Sequence, residues 1–444
     1  MLSTALSSRL AAKDIHYGWV VVGVTFLTML ATAGALSAPG VMIVPLQREF
    51  GWQNGEISSA LALRLVLFGL IGPFAAAFMN RYGVRPVVGV ALTLIVAGLL
   101  GSFLMTEVWQ LVLLWGIVVG LGSGMMALVL GATIATRWFV ERRGLVVGML
   151  TASTATGQLV FLPMLAALTE RYGWRIGLCL VLAGLLLAMA LVLLLLRDRP
   201  SDVGLAPYGA TDIVPAPAQE QGLRTLLMAP LVALRAASGS RTFWVLFATF
   251  FVCGLSTNGL IQTHWITLCG DFGVLPVLAA SVLAGIGIFD FVGTVLSGWL
   301  SDRYDNRWLL FWYYGLRGLA LLFLPFTEFT FYGLAFFTVL YGLDWVATVP
   351  PTVRMTAERF GAEKANITFG WVFAGHQLGA AVAAFGAGTT RDVFNTYMPA
   401  LIVAGIMCLV AAGLVLALDK HRPGHRKPSP EPEGGRLRPE GAPA

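Results

Sequence analysis

The sequence predicts an all-α membrane protein of twelve transmembrane helices in two six-helix halves, on three observations. First, 57% of the residues are hydrophobic, only 12% are charged and mean hydropathy is +0.79, whereas a soluble domain carries about one-quarter charged residues. Second, apolar runs of roughly twenty residues or more, the length needed to cross about 30 Å of hydrocarbon, recur along the chain. Third, one loop pattern occurs twice, each time after the second run of six, as expected of a duplicated membrane protein.

In order, the runs fall at 17–46, 57–79, 84–105, 109–136, 145–168 and 174–196, then at 242–268, 275–300, 308–326, 329–353, 365–388 and 394–418. The first opens on Tyr17 and Trp19, amphipathic aromatics suited to a water–lipid boundary. The fourth contains Gly120-Leu121-Gly122-Ser123-Gly124, which lets a neighbouring backbone approach closely. The fifth and eleventh carry glycines at the same nine-residue spacing, Gly148 and Gly157 against Gly370 and Gly379. The sequence therefore divides into a first half (1–196), a linker (197–241), a second half (242–418) and a tail (419–444). The linker is rich in Pro, Ala, Asp and Gln before an amphipathic stretch at 223–234 that reads as a short interfacial helix. The tail is Pro, Gly and charge, a composition that favours disorder.

The duplicated loop reads Ala76-Ala77-Phe78-Met79-Asn80-Arg81-Tyr82-Gly83-Val84-Arg85 and again Gly298-Trp299-Leu300-Ser301-Asp302-Arg303-Tyr304-Asp305-Asn306-Arg307. Arginines at a helix end can reach carbonyls and acids of a neighbouring helix, and an acid at the next helix start offsets its dipole. Asn80, Arg81, Arg85, Asp302, Arg303 and Arg307 are thus candidates for a latch that releases when one face opens. The alternative is that the arginines only set orientation as interior positive charge.

The net charge of +6 does not call for nucleic acid. With both termini inside, most of the 29 Lys and Arg fall in cytoplasmic segments, as orientation in a cell membrane requires. No cleavable signal peptide is visible, because the first sixteen residues are polar and the run after them is long enough to span. Cys179, Cys253, Cys269 and Cys408 lack metal or disulfide spacing and read as small hydrophobes. Ser-His-Asp, His-Glu-x-x-His, paired-Cys and Walker patterns are absent, so neither an enzyme nor a cofactor is expected.

The duplicated loop resembles the signature Gly-x-Leu-x-Asp-Arg-x-Gly-Arg-Lys of the major facilitator superfamily. The second copy keeps Gly298, Leu300, Asp302 and Arg303, while the first has Ala76 and Asn80 in place of Gly and Asp. Two further stretches resemble the monocarboxylate-transporter branch and its bacterial oxalate/formate-exchanger relatives. In Asp14-Ile15-His16-Tyr17-Gly18-Trp19, the residues Asp14, Gly18 and Trp19 match the first signature, with Tyr17 in its aromatic place. In Trp138-Phe139-Val140-Glu141-Arg142-Arg143-Gly144-Leu145-Val146-Val147-Gly148, the matches to the second are Phe139, Arg142, Arg143, Leu145 and Gly148. The resemblance implies two halves rocking about a mid-membrane site, with helices 1, 4, 7 and 10 lining the cavity.

Ionisable groups in hydrocarbon cost several kcal/mol unless paired or wetted, so each is a functional candidate. Arg64, His264, Asp290, Arg317, Asp344 and His376 lie well inside the runs. The resemblance implies that Asp290 takes a coupling proton; the Arg expected four residues later is Thr294. Arg317 can pair with Asp290 or with Asp344, as a structural network or as a substrate clamp. Arg64 lies about eight residues, or ~12 Å, from the outer end of its run, where it can attract a carboxylate or reach to the surface. His264, near Asn258 and Gln262, and His376 can donate to an anion, relay a proton or simply satisfy a helix carbonyl. Gln158 and Asn258 are candidates for substrate hydrogen bonds. Nothing between Tyr17 and Leu46 ionises; Ser37, Pro39 and Gly40 stand where monocarboxylate transporters often carry a Lys.

The expected function is a secondary transporter that moves a small organic anion, a monocarboxylate, through the lipid bilayer with protons. A neutral metabolite or drug is the alternative substrate, and a receptor or sensor without net flux the alternative class. Oligomeric state leaves no mark in the sequence.

Overall fold

The computed structural model describes residues 2–126, 129–213, 222–301, 303–360 and 362–418; the expected tail at 419–444 lies outside them. Twelve long helical segments stand side by side among these residues. They are α1 Gly18–Phe50, α2 Asn54–Tyr82, α3 Val84–Gly101, α4 Val108–Trp138, α5 Arg143–Tyr172 and α6 Trp174–Leu195 in the first half. In the second half they are α7 Arg241–Asp271, α8 Pro276–Ser301, α9 Asn306–Phe323, α10 Phe331–Phe360, α11 Ala362–Phe394 and α12 Met398–Leu416. Eleven are long and apolar enough to cross a membrane by length and composition; α5, at 30 residues, packs among them against α1 and α8. In lipid a backbone can satisfy its polar groups only within itself, which is why these runs are helices. A short helix, Leu2–Ala11, precedes α1, and a linker helix, Leu223–Ser238, precedes α7.

Several helices outrun their apolar runs. α1 continues to Phe50, where Gly51 at φ +71° ends it, and α2 begins at Asn54 and runs to Tyr82, where Gly83 at φ +93° ends it. Hydropathy marks the thickness of hydrocarbon, whereas a glycine at positive φ marks the end of each of these helices, left-handed at Gly51 and extended at Gly83.

The duplication is visible in the packing. A Cβ on Gly157 of α5 would meet Leu30 O of α1 at 2.7 Å, and one on Gly379 of α11 would meet Phe251 O of α7 at 1.9 Å. Gly157 and Gly379 are 222 residues apart, as are Ala76 and Gly298. Each half therefore locks its first helix to its fifth at an equivalent glycine. The two halves meet where α2 packs on α11, α5 on α8 and α1 on α7.

Among the described residues, three of the twelve long segments, α4, α7 and α10, depart from regular α-helix within their length. Val112–Val119 in α4 and Leu255–Gln262 in α7 are π-helical. α10 is interrupted between Asp344 and Val349, and its second segment starts Val349-Pro350-Pro351. Prolines fit a helix start but have no N–H for the carbonyls four residues earlier, so the chain turns before them.

The start of α1 and the end of α6 lie together at one face of the bundle, termed here the terminal face. The Tyr17 hydroxyl at the start of α1 donates to Leu195 O at the end of α6, at 2.7 Å.

Candidate functional site

The interruption in α10 organises the centre of the second half. Glycines bring α8 and α10 together: a Cβ on Gly293 would sit 1.9 Å from Leu343 O, and one on Gly342 2.8 Å from Ile286 O. At that distance side chains of α8 reach the backbone of the break. Asp290 Oδ1 accepts the Val346 N–H at 2.9 Å and the Thr294 hydroxyl at 3.0 Å. Ser297 donates to Ala347 O at 2.6 Å, the carbonyl that Pro351 leaves without a donor. From α9, Arg317 Nε pairs with Asp344 Oδ2 at 2.6 Å. Its Nη2 donates to the carbonyls of Asp344 and Trp345, the latter at 3.1 Å, and its Nη1 to Cys253 Sγ at 2.9 Å. Arg317 thus pairs with Asp344 and not with Asp290. Asp290 has no ion-pair partner among the described residues.

Arg64 on α2 answers a different break. Pro39 in α1 offers no N–H to Ala35 O, and Arg64 Nη1 lies 3.4 Å from that oxygen while Nη2 donates to Leu36 O at 3.1 Å. The guanidinium is buried beside Ala38, Leu99, Trp115 and Val119 in a crevice too tight for a water molecule, and its Nε has no partner. No carboxylate lies within ion-pair reach of it among the described residues. Arg64 neither reaches the surface nor faces the seam between the halves.

Half-way along α11 stand Gln377, on the side of that seam, and His376, whose ring lies 5.1 Å from Phe250 of α7. Gln377 is 1% exposed and packs against α2, where a Cβ on Gly69 would lie 2.6 Å from its own Cβ. Neither its amide nitrogen nor its amide oxygen has a partner, and the same holds for His376 Nδ1. The His376 ring stacks on Phe373 with centroids 5.6 Å apart. Asn258 and Gln262, in the π-helical part of α7, are half-buried, and Gln262 O lies 2.9 Å from where a Cβ on Gly40 of α1 would stand. Buried polar atoms without partners are rare and call for a water or a ligand.

At the face opposite the termini, the two halves are hydrogen-bonded. Asp392 accepts the N–H of Asn54 at 3.1 Å and of Gly55 at 2.6 Å, placing a carboxylate from α11 on the N-terminus of α2. Asn54 Nδ2 donates to the Tyr397 hydroxyl at 2.7 Å, which lies 3.1 Å from His264 Nδ1. His264 Nε2 must donate to the Ala384 carbonyl at 2.8 Å, so Nδ1 accepts from Tyr397. His264 is therefore a link in a closed chain across α2, α7 and α11. Arg391 and Asp271 add an ion pair at 2.6 Å within the second half.

At the terminal face the duplicated loops brace helix ends. Arg85 binds Asp198 with its backbone N–H at 2.8 Å and the Leu193 carbonyl with its side chain. Arg307 pairs with Asp305 at 2.7 Å and donates to Leu418 O at 2.7 Å. Each closing Arg thus caps the sixth helix of its own half, where a cation offsets the dipole. Arg303 lies over Trp299 at 4.1 Å and Arg81 over Tyr82 at 5.5 Å. Asp302 lies outside the described residues, as do the side chains of Asn80 and Gln158.

The two stretches that begin α1 and precede α5 meet here. A Cβ on Gly18 would stand 3.1 Å from the Phe139 ring, Trp19 packs edge-on to Phe139 at 5.2 Å, and Tyr17 lies 6.1 Å from Trp138. Tyr208 joins them from the linker: its N–H donates to Trp138 O at 2.8 Å, its carbonyl accepts from Val140 at 2.9 Å, and Arg142 lies 5.8 Å over its ring. Sequence reasoning missed Tyr208, Asn54, Tyr397 and Asp392. Only the acid next to Arg391, at the end of an apolar run, was a visible signal.

The family model described as Major Facilitator Superfamily matches residues 24–343 and 265–442. Monocarboxylate transporter 13 of Bos taurus is 27% identical over 93% of this chain and 92% of its own length. Monocarboxylate transporter 4 of Gallus gallus is 25% identical over 93% and 84%. The uncharacterized MFS-type transporter YcxA of Bacillus subtilis (strain 168) is 23% identical over 90% and 94%. Among solved structures, an inward-facing bacterial homolog of the lysosomal transporter Spinster superposes with TM-score 0.68 at 15% identity, covering 90% of this chain and 96% of its own. The xylose transporter XylE of E. coli does so with TM-score 0.67 at 15% identity, over 91% and 100%. These two likenesses concern the fold.

Proposed function

We propose that this chain, which belongs to the Major Facilitator Superfamily, carries a small organic anion of the monocarboxylate class together with protons by alternating access. The observation that carries the proposal is Asp290: a carboxylate at membrane depth held by an N–H and a hydroxyl, while the nearby Arg317 is spent on Asp344. Such a group is the natural proton acceptor of the site, because no fixed cation holds it ionised. On protonation it becomes a weaker acceptor for Val346 N–H, so the break in α10 loosens as the proton binds. Neutral Asp290 also removes repulsion of a substrate carboxylate, which links the two ligands.

The positive charge of Arg64 lacks a carboxylate partner among the described residues and sets a potential in the first half that favours an anion. The unpaired Gln377 amide at the α2–α11 seam and the unpaired Nδ1 of His376, whose ring lies on the α7 side beside Phe250, are the leading substrate-binding candidates, with Asn258 and Gln262 in α7 across from α1. In this reading the halves rock about that level, and the bonds from Asp392 and Tyr397 to α2 break when the opposite face opens. The concentration of arginines at the terminal face supports an orientation with the termini in the cytoplasm of a cell membrane.

The test is uptake of labelled lactate, pyruvate, formate and oxalate into proteoliposomes under an imposed pH gradient, with Asp290→Asn alongside. The expected result is accumulation that follows the gradient, is lost in Asp290→Asn, and leaves exchange of preloaded substrate intact. If folded protein accumulates none of the four, the anion reading fails and neutral substrates take its place, as the uncharged first span would then suggest.

A further inference from the structure

The linker helix Leu223–Ser238 is tied down along one face. Trp371 of α11 donates its indole N–H to Pro230 O at 2.8 Å, and Trp244 of α7 donates to Ser238 O at 2.8 Å. Pro230 and Ala237 are buried, and the helix lies against α2, α7 and α11. It therefore sits across the α2–α11 seam, where the two halves meet.

The other face has no protein on it among the described residues. Met228, Leu231 and Val232 are 46%, 41% and 61% exposed, and Arg224 and Arg235 are exposed as well. Arg224, Met228, Leu231 and Arg235 follow one another at intervals of four, three and four residues, so they form one stripe with an arginine at each end. The helix sequence, LRTLLMAPLVALRAAS, contains no acid.

Depth decides what this stripe faces. Trp244, the anchor of Ser238, is 51% exposed and stands in the first turn of α7, at the boundary where tryptophans settle in membranes. An apolar stripe at that level faces acyl chains, and arginines at its two ends reach the phosphate layer, where guanidinium pairs with phosphate oxygens.

We propose that the linker helix is a docking surface for anionic phospholipid headgroups of the inner leaflet. Met228, Leu231 and Val232 insert below the headgroups, and Arg224 and Arg235 hold two lipid phosphates about 16 Å apart along the helix axis. Because the helix is bonded to α7 and α11 and lies on α2, the bound lipids brace the seam between the halves. The proposal takes only the orientation from the functional reading, and its test needs no substrate.

The experiment uses the full chain in nanodiscs of phosphatidylcholine, with and without phosphatidylglycerol. A nitroxide attached at position 232 (Val232→Cys in a Cys179→Ser background) reports its surroundings by collision with oxygen or with a water-soluble nickel complex. Lipid retention is read in parallel by native mass spectrometry of detergent-released protein. Expected are oxygen-dominated accessibility at position 232 and at least several-fold preferential retention of phosphatidylglycerol over phosphatidylcholine. That preference should fall to parity in Arg224→Gln/Arg235→Gln, a surface change that leaves the fold intact. Nickel-dominated accessibility, as a soluble partner or bare water would give, overturns the proposal. So does a phosphatidylglycerol preference unchanged in the double variant.

Discussion

Arg64 and Arg317 occupy the two halves in parallel. Each is a buried guanidinium inside a six-helix bundle, and each donates to backbone carbonyls where a helix is disturbed next to proline. They differ in one respect: Arg317 also has a carboxylate, Asp344, and Arg64 has none among the described residues. The Arg317–Asp344 pair is therefore neutral in itself, with Asp290 beside it held by an N–H and a hydroxyl, while Arg64 carries a charge with no carboxylate among the described residues. A buried ion pair is costly to break but contributes little beyond a well-packed apolar substitute. A buried cation without a carboxylate leaves a positive field in its surroundings, which adds to the anion reading that Asp290 carries.

The largest test breaks the pair. Arg317→Met or Asp344→Leu alone should lower stability by about 3–5 kcal/mol, because each leaves an uncompensated buried charge, whereas the double substitution should recover most of that loss. Thermal unfolding in detergent reads this directly; a double variant as unstable as either single one would mean that Arg317 acts through the carbonyls and not through Asp344. Next, Arg64→Met should cost about 1–3 kcal/mol for the unpaired carbonyls it leaves. Pro39→Ala in the same chain restores an N–H to Ala35 O, so the double variant should regain stability but not anion transport. Recovery of transport would remove Arg64 from the functional account. Ser297→Ala should cost about 1 kcal/mol by orphaning Ala347 O, with little change in the pH dependence of uptake. The smallest effect on stability belongs to Asp290→Asn, since the carboxamide oxygen still accepts Val346 N–H. Its stability should stay within about 1 kcal/mol of wild type, and a much larger loss would make Asp290 a structural residue first.

Much of the site was legible residue by residue. Asp290, Arg317, Asp344 and Arg64 declare themselves as charges in apolar runs, because hydrocarbon tolerates few of them. The partners were not legible. Arg317 had two acids within reach by sequence, and Asp290 turned out to hold a backbone amide 56 residues away. The tenth run was read as continuous over 329–353, so the break before Pro350-Pro351 and the side chains that fill it were both found only in the structure. The closing arginines of the repeated loops looked alike in sequence and cap equivalent helix ends, Leu193 and Leu418. At the opposite face His264 stood out in the sequence, but its link through Tyr397 to Asn54 did not, since neither of those two is unusual at the end of a span.

What the sequence determined alone is the number and order of the spans, the duplication, and the identity of the charges that must be answered inside the membrane. These follow from local rules: hydrocarbon thickness sets the length of a run, and a buried charge is costly wherever it stands. Only the tertiary structure decided which charge answers which, that Tyr208 joins Trp19 to Phe139, and that the halves are bonded through Asp392 at the face away from the termini. Those pairings depend on how closely helices approach, and approach is set by glycines such as Gly293 and Gly379 meeting a particular carbonyl across the bundle. No property of either residue by itself specifies that meeting.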